Sequence, residues 1–173
     1  MISLQSFGRD LNAVVIGGSG GIGSALVSQL LVCPDVKRVT AFSRSGVLVD
    51  EEVSRAQLRK LKCCPIDLMS ESSIVDASDV LSEMTIDLII VATGILHSKD
   101  IRPEKSLRML GADSFCMVMQ MNALAPMLVA KHFLPRMRKP GKSVFVALSA
   151  RVGSISDNRL GGWYSYRASK AAL

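Results

Sequence analysis

The chain has 173 residues and a formal net charge of +6; 49% of its residues are hydrophobic and 5% aromatic, so its length allows one domain with a largely aliphatic core. Its 21 basic residues are scattered without interleaved aromatic side chains, and its four cysteines and two histidines show no ligand spacing. This pattern argues against a nucleic-acid partner, a metal site and a disulfide framework. Because the sequence has no apolar run of 18 residues and no signal peptide, we expect a cytoplasmic protein without a membrane partner.

Short apolar segments alternate with segments of helical periodicity along the chain. The predicted strands are residues 13–16, 38–42, 63–66, 86–91 and 143–148. Most of these segments are apolar at successive positions, which is typical of parallel strands buried on both faces. The alternation predicts one α/β domain over residues 1–173, a doubly wound parallel sheet with helices on both faces.

The predicted helices follow these strands in order. The first has an apolar face at Ile22, Ala25, Leu26 and Leu30. A short one lies within residues 51–60, and a third enters at residues 70–71. The longest covers residues 114–137, with Asp113 as its N-cap, and ends at the Lys-Pro-Gly of residues 139–141.

A glycine-rich segment, GGSGGIG at residues 17–23, joins the first strand to the first helix. Glycine permits a tight turn and lets the backbone approach a pyrophosphate, while the helix directs its unpaired N–H groups at the phosphates. Two spacings fit, G-x-G-x-x-G and G-x-x-x-G-x-G, and both predict dinucleotide binding. The candidate cofactor-binding residues here are Gly17, Ser19, Gly20, Gly21, Ile22 and Gly23.

The end of the second strand indicates which dinucleotide is bound. An acidic residue there bonds the ribose 2′-hydroxyl of NAD, whereas an arginine accommodates the 2′-phosphate of NADP. The segment reads TAFSRSG and contains Arg44 but no acid before Asp50. A guanidinium pairs well with phosphate, so we favour NADP over NAD and add Arg44 to the cofactor-binding residues.

Tyr166 and Lys170 are four residues apart in YSYRASKAAL, so on a helix they share one face, whereas Tyr164 does not share it. A phenol has an ordinary pKa of about 10, and a neighbouring ammonium favours its ionised form. The spacing therefore predicts a tyrosine general acid/base assisted by a lysine.

Three motifs together, GGSGGIG at residues 17–23, SARVG at 149–153 and YSYRASKAAL at 164–173, resemble the short-chain dehydrogenase/reductase family. The segment 154–173 further resembles its branch of small carbonyl reductases and C-factor-type proteins. The resemblance implies a Rossmann sheet that binds NADP or, less favoured, NAD. It also implies hydride transfer to or from a small carbonyl or alcohol substrate, and a homodimer or homotetramer.

The resemblance also implies roles for individual residues. Tyr166 resembles the catalytic acid/base, Lys170 the lysine that assists it and binds the nicotinamide ribose, and Asn122 the asparagine that helps to hold a proton-relay water. Asp67 resembles the residue beside the adenine ring. The loop after the fourth strand would leave room for the cofactor through Ala92, Thr93 and Gly94.

The sequence departs from the family pattern at three places. The usual Asn-Asn-Ala-Gly after the fourth strand is Val91-Ala92-Thr93-Gly94. In the family pattern the catalytic serine stands three residues before a glycine, and here the residue three before Gly153 is Ala150. Ser149 lies one residue earlier, so along a strand its side chain would point to the opposite face unless a bulge re-aimed it. Ser154 or Ser156 could substitute for it. Finally, the chain ends at Leu173, where the family continues, so we expect a sheet without its last strands.

These departures leave three functions open. The first is a reductase in which Tyr166 protonates the substrate oxygen. The second is a C-factor-like signalling protein that binds a dinucleotide with little turnover, which the missing asparagines favour. The third is an inactive fragment.

Overall fold

The structure, a computed structural model, describes residues 3–173 and contains one sheet of five parallel strands. The order of the strands across the sheet is β3-β2-β1-β4-β5, so the chain winds outward in both directions from β1. This arrangement confirms the predicted doubly wound Rossmann-type sheet. The strands are β1 (Leu11–Ile16), β2 (Val36–Ser43), β3 (Leu61–Pro65), β4 (Leu88–Val91) and β5 (Val144–Ala147).

Helices lie on both faces of the sheet and connect its strands. They are α1 (Gly21–Val32), α2 (Arg55–Leu58), α3 (Glu71–Asp79), α4 (Ala112–Met119), α5 (Ala125–Phe133) and α6 (Tyr164–Ala172). A π-helical segment, Gln120–Leu124, joins α4 to α5, and short 3-10 turns occur at Gln5–Phe7, Leu107–Met109, Leu134–Arg136 and Arg151–Gly153.

The hydrophobic core forms two layers because successive side chains of a strand point to opposite faces. In β1, Val14 and Ile16 pack with α3 and α5, whereas Ala13 and Val15 pack with α1. All four side chains are at most 1% exposed. Burial on both faces explains why β1 is apolar at every one of these positions. The edge strand β3 is largely exposed, unlike the central strands.

Two predictions about helix faces and caps were wrong. Ile22 is 65% exposed and Ala25 is also exposed, whereas Leu30 is buried as predicted. The buried apolar side chains of α1 are Val27, Leu30 and Leu31, because the first turn contacts the sheet through Gly23, which has no side chain. Asp113 is not an N-cap: α4 begins at Ala112, two residues before the predicted start, and its N-cap is Gly111. The Asp113 carboxylate lies in the first turn, where the helix dipole favours a negative charge.

Asp87 connects neighbouring segments at the amino end of the sheet through hydrogen bonds of its carboxylate. Its side chain is fully buried; Oδ2 accepts a hydrogen bond from the Asn12 backbone N–H at 2.9 Å, and Oδ1 accepts one from Arg138 Nε. This hydrogen bond and the charge of Asp87 raise the pKa of Arg138. The carboxylate thereby joins β1 to the segment that leads into β5.

Asp87→Ala is expected to lower the free energy of unfolding by about 1–3 kcal/mol, because it leaves the backbone N–H of Asn12 without its acceptor, whereas the partly exposed guanidinium of Arg138 can turn to solvent. The matched control is Asp79→Ala, which breaks the ion pair between Asp79 and Arg136. The Asp79 side chain is 63% exposed, so this variant should lower the free energy of unfolding by about 1 kcal/mol or less. Urea denaturation of both variants measures the difference. Equal losses would contradict a special role for the buried carboxylate.

Candidate active site

A cleft of about 340 Å³ opens at the carboxyl edge of the sheet. The strand order reverses direction there, between β1 and β4, which is where open α/β sheets bind their ligands. The cleft is lined by Met121 of the π-helical segment and by residues at or after the ends of the first four strands: Gly17, Ser19, Gly20, Ser43, Arg44, Ile66, Leu68, Ala92, Thr93, Gly94, Ile95, His97 and Ser98.

The glycine loop forms the floor of this cleft through close backbone contacts. Gly17 has a positive φ of 93°, and a Cβ atom there would lie 2.6 Å from the methyl group of Thr93. A Cβ on Gly23 would overlap the carbonyl oxygen of Gly17, so α1 reaches β1 only because residue 23 is glycine. Gly21 and Ile22 are exposed in the first turn of α1, outside the cleft lining.

The N-terminus of α1 is open toward a ligand. Its N-cap residue is Gly20, which has no side chain to accept a hydrogen bond from the first-turn N–H groups. Unpaired N–H groups at a helix N-terminus form an anion site together with the helix dipole. Ser19 and Gly20 line the cleft directly before this turn.

Of the two further cofactor-binding candidates, Arg44 lies in the cleft and Asp67 does not. Arg44 is exposed and lines the cleft after β2. Asp67 does not line it, although its neighbours Ile66 and Leu68 do. The Asp67 carboxylate accepts a hydrogen bond from the Met69 N–H at 3.0 Å, so it is directed toward its own loop.

The loop after β4 forms the opposite wall, with Ala92, Thr93 and Gly94 in the lining. The Thr93 hydroxyl is buried and has no hydrogen-bond partner among residues 3–173. Gly94 lies directly beside the end of Lys170: a Cβ atom on it would be 3.2 Å from Lys170 Nζ. The lysine ammonium therefore reaches the wall of the cleft.

Tyr166 and Lys170 share one face of α6, as their spacing predicts. Lys170 is 6% exposed, and its Nζ donates a hydrogen bond to the Leu148 carbonyl at 2.8 Å. Burial lowers the pKa of Lys170. Its Nζ lies 5.9 Å from the centre of the Tyr166 ring. Tyr166 is half-buried, and its hydroxyl has no hydrogen-bond partner within the described part of the chain.

Asn122 connects the β4 loop to α6. It is fully buried in the π-helical segment, a local distortion that often occurs at functional sites. Its Oδ1 accepts from the Ile95 N–H at 2.7 Å, and its Nδ2 donates to the Ile95 carbonyl and to Ser169 Oγ, both at 2.9 Å. Asn122 thus holds the β4 loop, which forms the cleft wall, in a fixed position relative to α6.

The exposed Ser149 contacts the backbone of α6 instead of a side chain of the site. Its hydroxyl donates to the carbonyl oxygen of Lys170 at 3.1 Å. Ala150 precedes the 3-10 turn Arg151–Gly153. A Cβ atom on Gly153 would be 2.7 Å from the Lys170 carbonyl carbon, so this turn packs tightly on α6. The Ser154 hydroxyl accepts from the Asp157 N–H at 3.2 Å.

Sequence reasoning missed Glu104, a buried carboxylate in the connection between β4 and α4. It is 4% exposed and contacts Ser165, the residue directly before Tyr166. Its neighbours in the sequence, RPEKSL, are polar and typical of a solvated loop. Only the fold reveals that this loop is fastened to α6.

Residues 3–173 also bear on two other classes of site. No helix there is long and apolar enough to cross a membrane. No group of three His, Cys, Asp or Glu side chains in this part of the chain could hold a metal ion.

The sequence profile of the family described as short chain dehydrogenase matches residues 11–173. The "Short-chain dehydrogenase RED3" of Pyricularia oryzae is 26% identical over 151 residues, which cover 85% of this chain and 59% of that protein. The "C-signal" of Myxococcus xanthus is 42% identical over 52 residues, which cover 30% of this chain and 31% of that protein. The chain thus spans less than two thirds of the length of these curated relatives.

Solved structures show the same fold. A protein of Burkholderia multivorans, described as a short-chain dehydrogenase/reductase with bound NADP, superposes with a TM-score of 0.81 and 26% identity, covering 95% of this chain and 69% of that one. The NADPH-bound carbonyl reductase from chicken fatty liver superposes with a TM-score of 0.77 and 28% identity, covering 95% of this chain and 67% of that one.

Proposed function

Because this chain belongs to the short-chain dehydrogenase family, we propose that it acts as an NADP-dependent oxidoreductase of a small carbonyl or alcohol substrate. The observation that carries the proposal is the position of Lys170. Its buried ammonium stands beside Gly94 in the cleft wall and on the same helix face as Tyr166. It therefore links the nucleotide cleft to the phenol that would exchange a proton with the substrate.

The described residues fit a dinucleotide. Gly17 and Gly23 form a backbone cradle that a Cβ atom would fill, the first turn of α1 has no side-chain cap, and the Thr93 hydroxyl in the cleft wall lacks a partner. When bound, the nicotinamide supplies or accepts the hydride. The glycine loop would hold its pyrophosphate and Arg44 its 2′-phosphate. Lys170 would contact the nicotinamide ribose.

The protein's own chemistry in this proposal is one proton transfer. Tyr166 Oη donates a proton to the substrate oxygen during reduction and accepts it back during oxidation. The buried ammonium of Lys170 lies 5.9 Å from the centre of the Tyr166 ring and so stands beside the group that gives up and takes back this proton. Asn122 contributes indirectly, because its bonds to Ile95 and Ser169 fix the cleft wall against α6.

Titrating the chain with NADPH and with NADH, followed by nucleotide fluorescence, tests the proposed cofactor. We expect NADPH to bind more tightly than NADH. Binding of neither nucleotide would contradict the proposal for this chain and favour an inactive fragment. Tighter binding of NADH would contradict the assignment of Arg44.

Arg44→Ala is expected to weaken NADPH binding about tenfold or more, since it removes a charge-assisted contact of about 1.5–3 kcal/mol. NADH has no 2′-phosphate, and its affinity should change little. Arg55→Ala, a neighbouring arginine in α2 that does not line the cleft, serves as the control for net charge. Equal weakening by both variants would show that only the overall charge matters.

A second function, nucleotide-dependent signalling with little turnover, is favoured by the similarity to the C-signal and by the Ser149 contact. The hydroxyl of Ser149 is engaged with the Lys170 carbonyl, and Ala150 has none to offer a substrate. In this second case nucleotide binding would persist without measurable carbonyl reduction. Turnover assays with a panel of small aldehydes and ketones distinguish the two functions.

We also propose that the chain forms a homodimer or homotetramer. Apolar side chains are exposed along the long helical segment, with Met117 at 43%, Leu124 at 43% and Met127 at 55%. Flexible methionine side chains suit an adaptable apolar contact. This surface would associate with the same surface of a second copy.

A further inference from the structure

Helix α6 does not cap its own N-terminus. Its N-cap residue is Trp163, which has a left-handed backbone conformation with φ 53° and ψ 40° and no side-chain acceptor for the first-turn N–H groups. Such a conformation is uncommon for a bulky residue and persists only where its surroundings hold it. The first turn of the helix therefore depends on groups from elsewhere in the chain.

Glu104 supplies these groups from the connection between β4 and α4. Its carboxylate accepts a hydrogen bond from the hydroxyl of Ser165 and a longer one, 3.4 Å, from the Ser165 backbone N–H. Its backbone carbonyl accepts from the Trp163 N–H at 2.6 Å. The carboxylate also lies where the positive end of the helix dipole favours an anion. It acts as an N-cap residue from a segment about sixty residues away in the sequence.

This contact adjoins the proposed acid/base directly. Ser165 precedes Tyr166, and the Trp163 ring lies edge-on to the Tyr166 ring with 6.3 Å between the ring centres. A second attachment follows one turn later, where Asn122 bonds Ser169 and the Ser169 hydroxyl donates to the Tyr166 carbonyl at 2.8 Å. Tyr166 is thus held between two anchors, and Glu104 provides the first.

We propose that Glu104 is a positioning residue that holds the first turn of α6, and with it Tyr166, against the connection between β4 and α4. Its effect on turnover rests on the proposed function of Tyr166. Its effect on the conformation of α6 does not depend on that function, so the two can be tested separately. In this role Glu104 itself would contact neither substrate nor cofactor.

The conformational test uses Trp163, the only tryptophan in the chain. It lies at the capped end of α6 and is 39% exposed. We expect Glu104→Ala and Ser165→Ala to increase quenching of its fluorescence by acrylamide, because each removes the side-chain bond that fixes this turn. Glu83→Ala, which removes an exposed glutamate before β4, is the matched control and should leave the quenching unchanged. Unchanged quenching in Glu104→Ala would overturn the proposal.

The functional test compares kcat with nucleotide affinity. Glu104→Ala should lower kcat about 10- to 100-fold, since small misplacements of a catalytic group have effects of this size. The Kd for NADPH should stay near that of the unmodified chain. Glu104→Gln should recover part of the loss, because its amide oxygen still accepts from the Ser165 hydroxyl.

The results of these tests distinguish a failure of the Glu104 proposal from a failure of the proposed function. An unchanged kcat in folded Glu104→Ala, with only a lower melting temperature, would reduce Glu104 to a stability residue and overturn its positioning role. If the unmodified chain shows no turnover, the proposed function fails. The Trp163 quenching then still decides whether Glu104 holds the first turn of α6.

Discussion

Tyr166→Phe is expected to abolish most carbonyl reduction while leaving nucleotide binding intact. The variant removes one hydroxyl group, and positioned general acids contribute about 10²- to 10⁴-fold to turnover. The hydroxyl has no hydrogen-bond partner within residues 3–173, so its loss leaves no buried group unsatisfied and should hardly affect stability. Single-turnover reduction with NADPH measures the effect on the chemical step.

The other tyrosine of the chain provides the matched control. Tyr164 lies in the same first turn of α6, half-buried, but does not share the face of Lys170. We expect Tyr164→Phe to keep nearly full turnover. Equal losses in both variants would indicate a general disturbance of α6, and retained turnover in Tyr166→Phe would contradict acid/base catalysis by this residue.

Gly23→Ala is expected to abolish nucleotide binding and to destabilise the fold. The added Cβ atom would overlap the Gly17 carbonyl and lie 3.2 Å from the Gly18 Cα, both backbone atoms of the glycine loop. Because backbone cannot rotate away as a side chain can, α1 must shift off β1. Overpacking of this kind costs about 1–3 kcal/mol, and sometimes more. Thermal unfolding and NADPH fluorescence follow the two effects.

Gly21→Ala is the stability control for this variant. It lies two residues away in the same turn, and its Cβ atom would meet nothing within 4 Å. Alanine also favours a helix more than glycine does. We expect its melting temperature to equal or exceed that of the unmodified chain. A loss of stability as large as that of Gly23→Ala would contradict the steric explanation.

The sheet could be predicted from the sequence because its signal is local. β1, β4 and β5 are short, mostly apolar runs, and the central position of β1 follows from apolar side chains at consecutive positions. The buried face of α1 could not be predicted in this way. Apolar residues occur on several of its sides, so periodicity alone does not show that Ile22 lies in solvent above the glycine loop.

The candidate site was predictable in part for the same reason. The glycine loop and the pair Tyr166/Lys170 each lie within a few residues of sequence. Backbone geometry alone puts Gly17 in the cleft lining and the pair on one face of α6. Glu104 and the contact of Ser149 with the Lys170 carbonyl are different. They join segments that are 61 and 21 residues apart, and no spacing rule links a loop carboxylate to a helix that follows so much later.

The buried ammonium of Lys170 has a consequence for the evolution of this chain. Placing a cation away from water opposes folding, as the lowered pKa of Lys170 reflects. A library of variants sorted for folded yield alone would therefore favour an uncharged residue of similar length, such as methionine, at position 170. A library sorted for turnover should keep the lysine. Sequencing both populations would show whether adaptation at this one position is driven by stability or by chemistry.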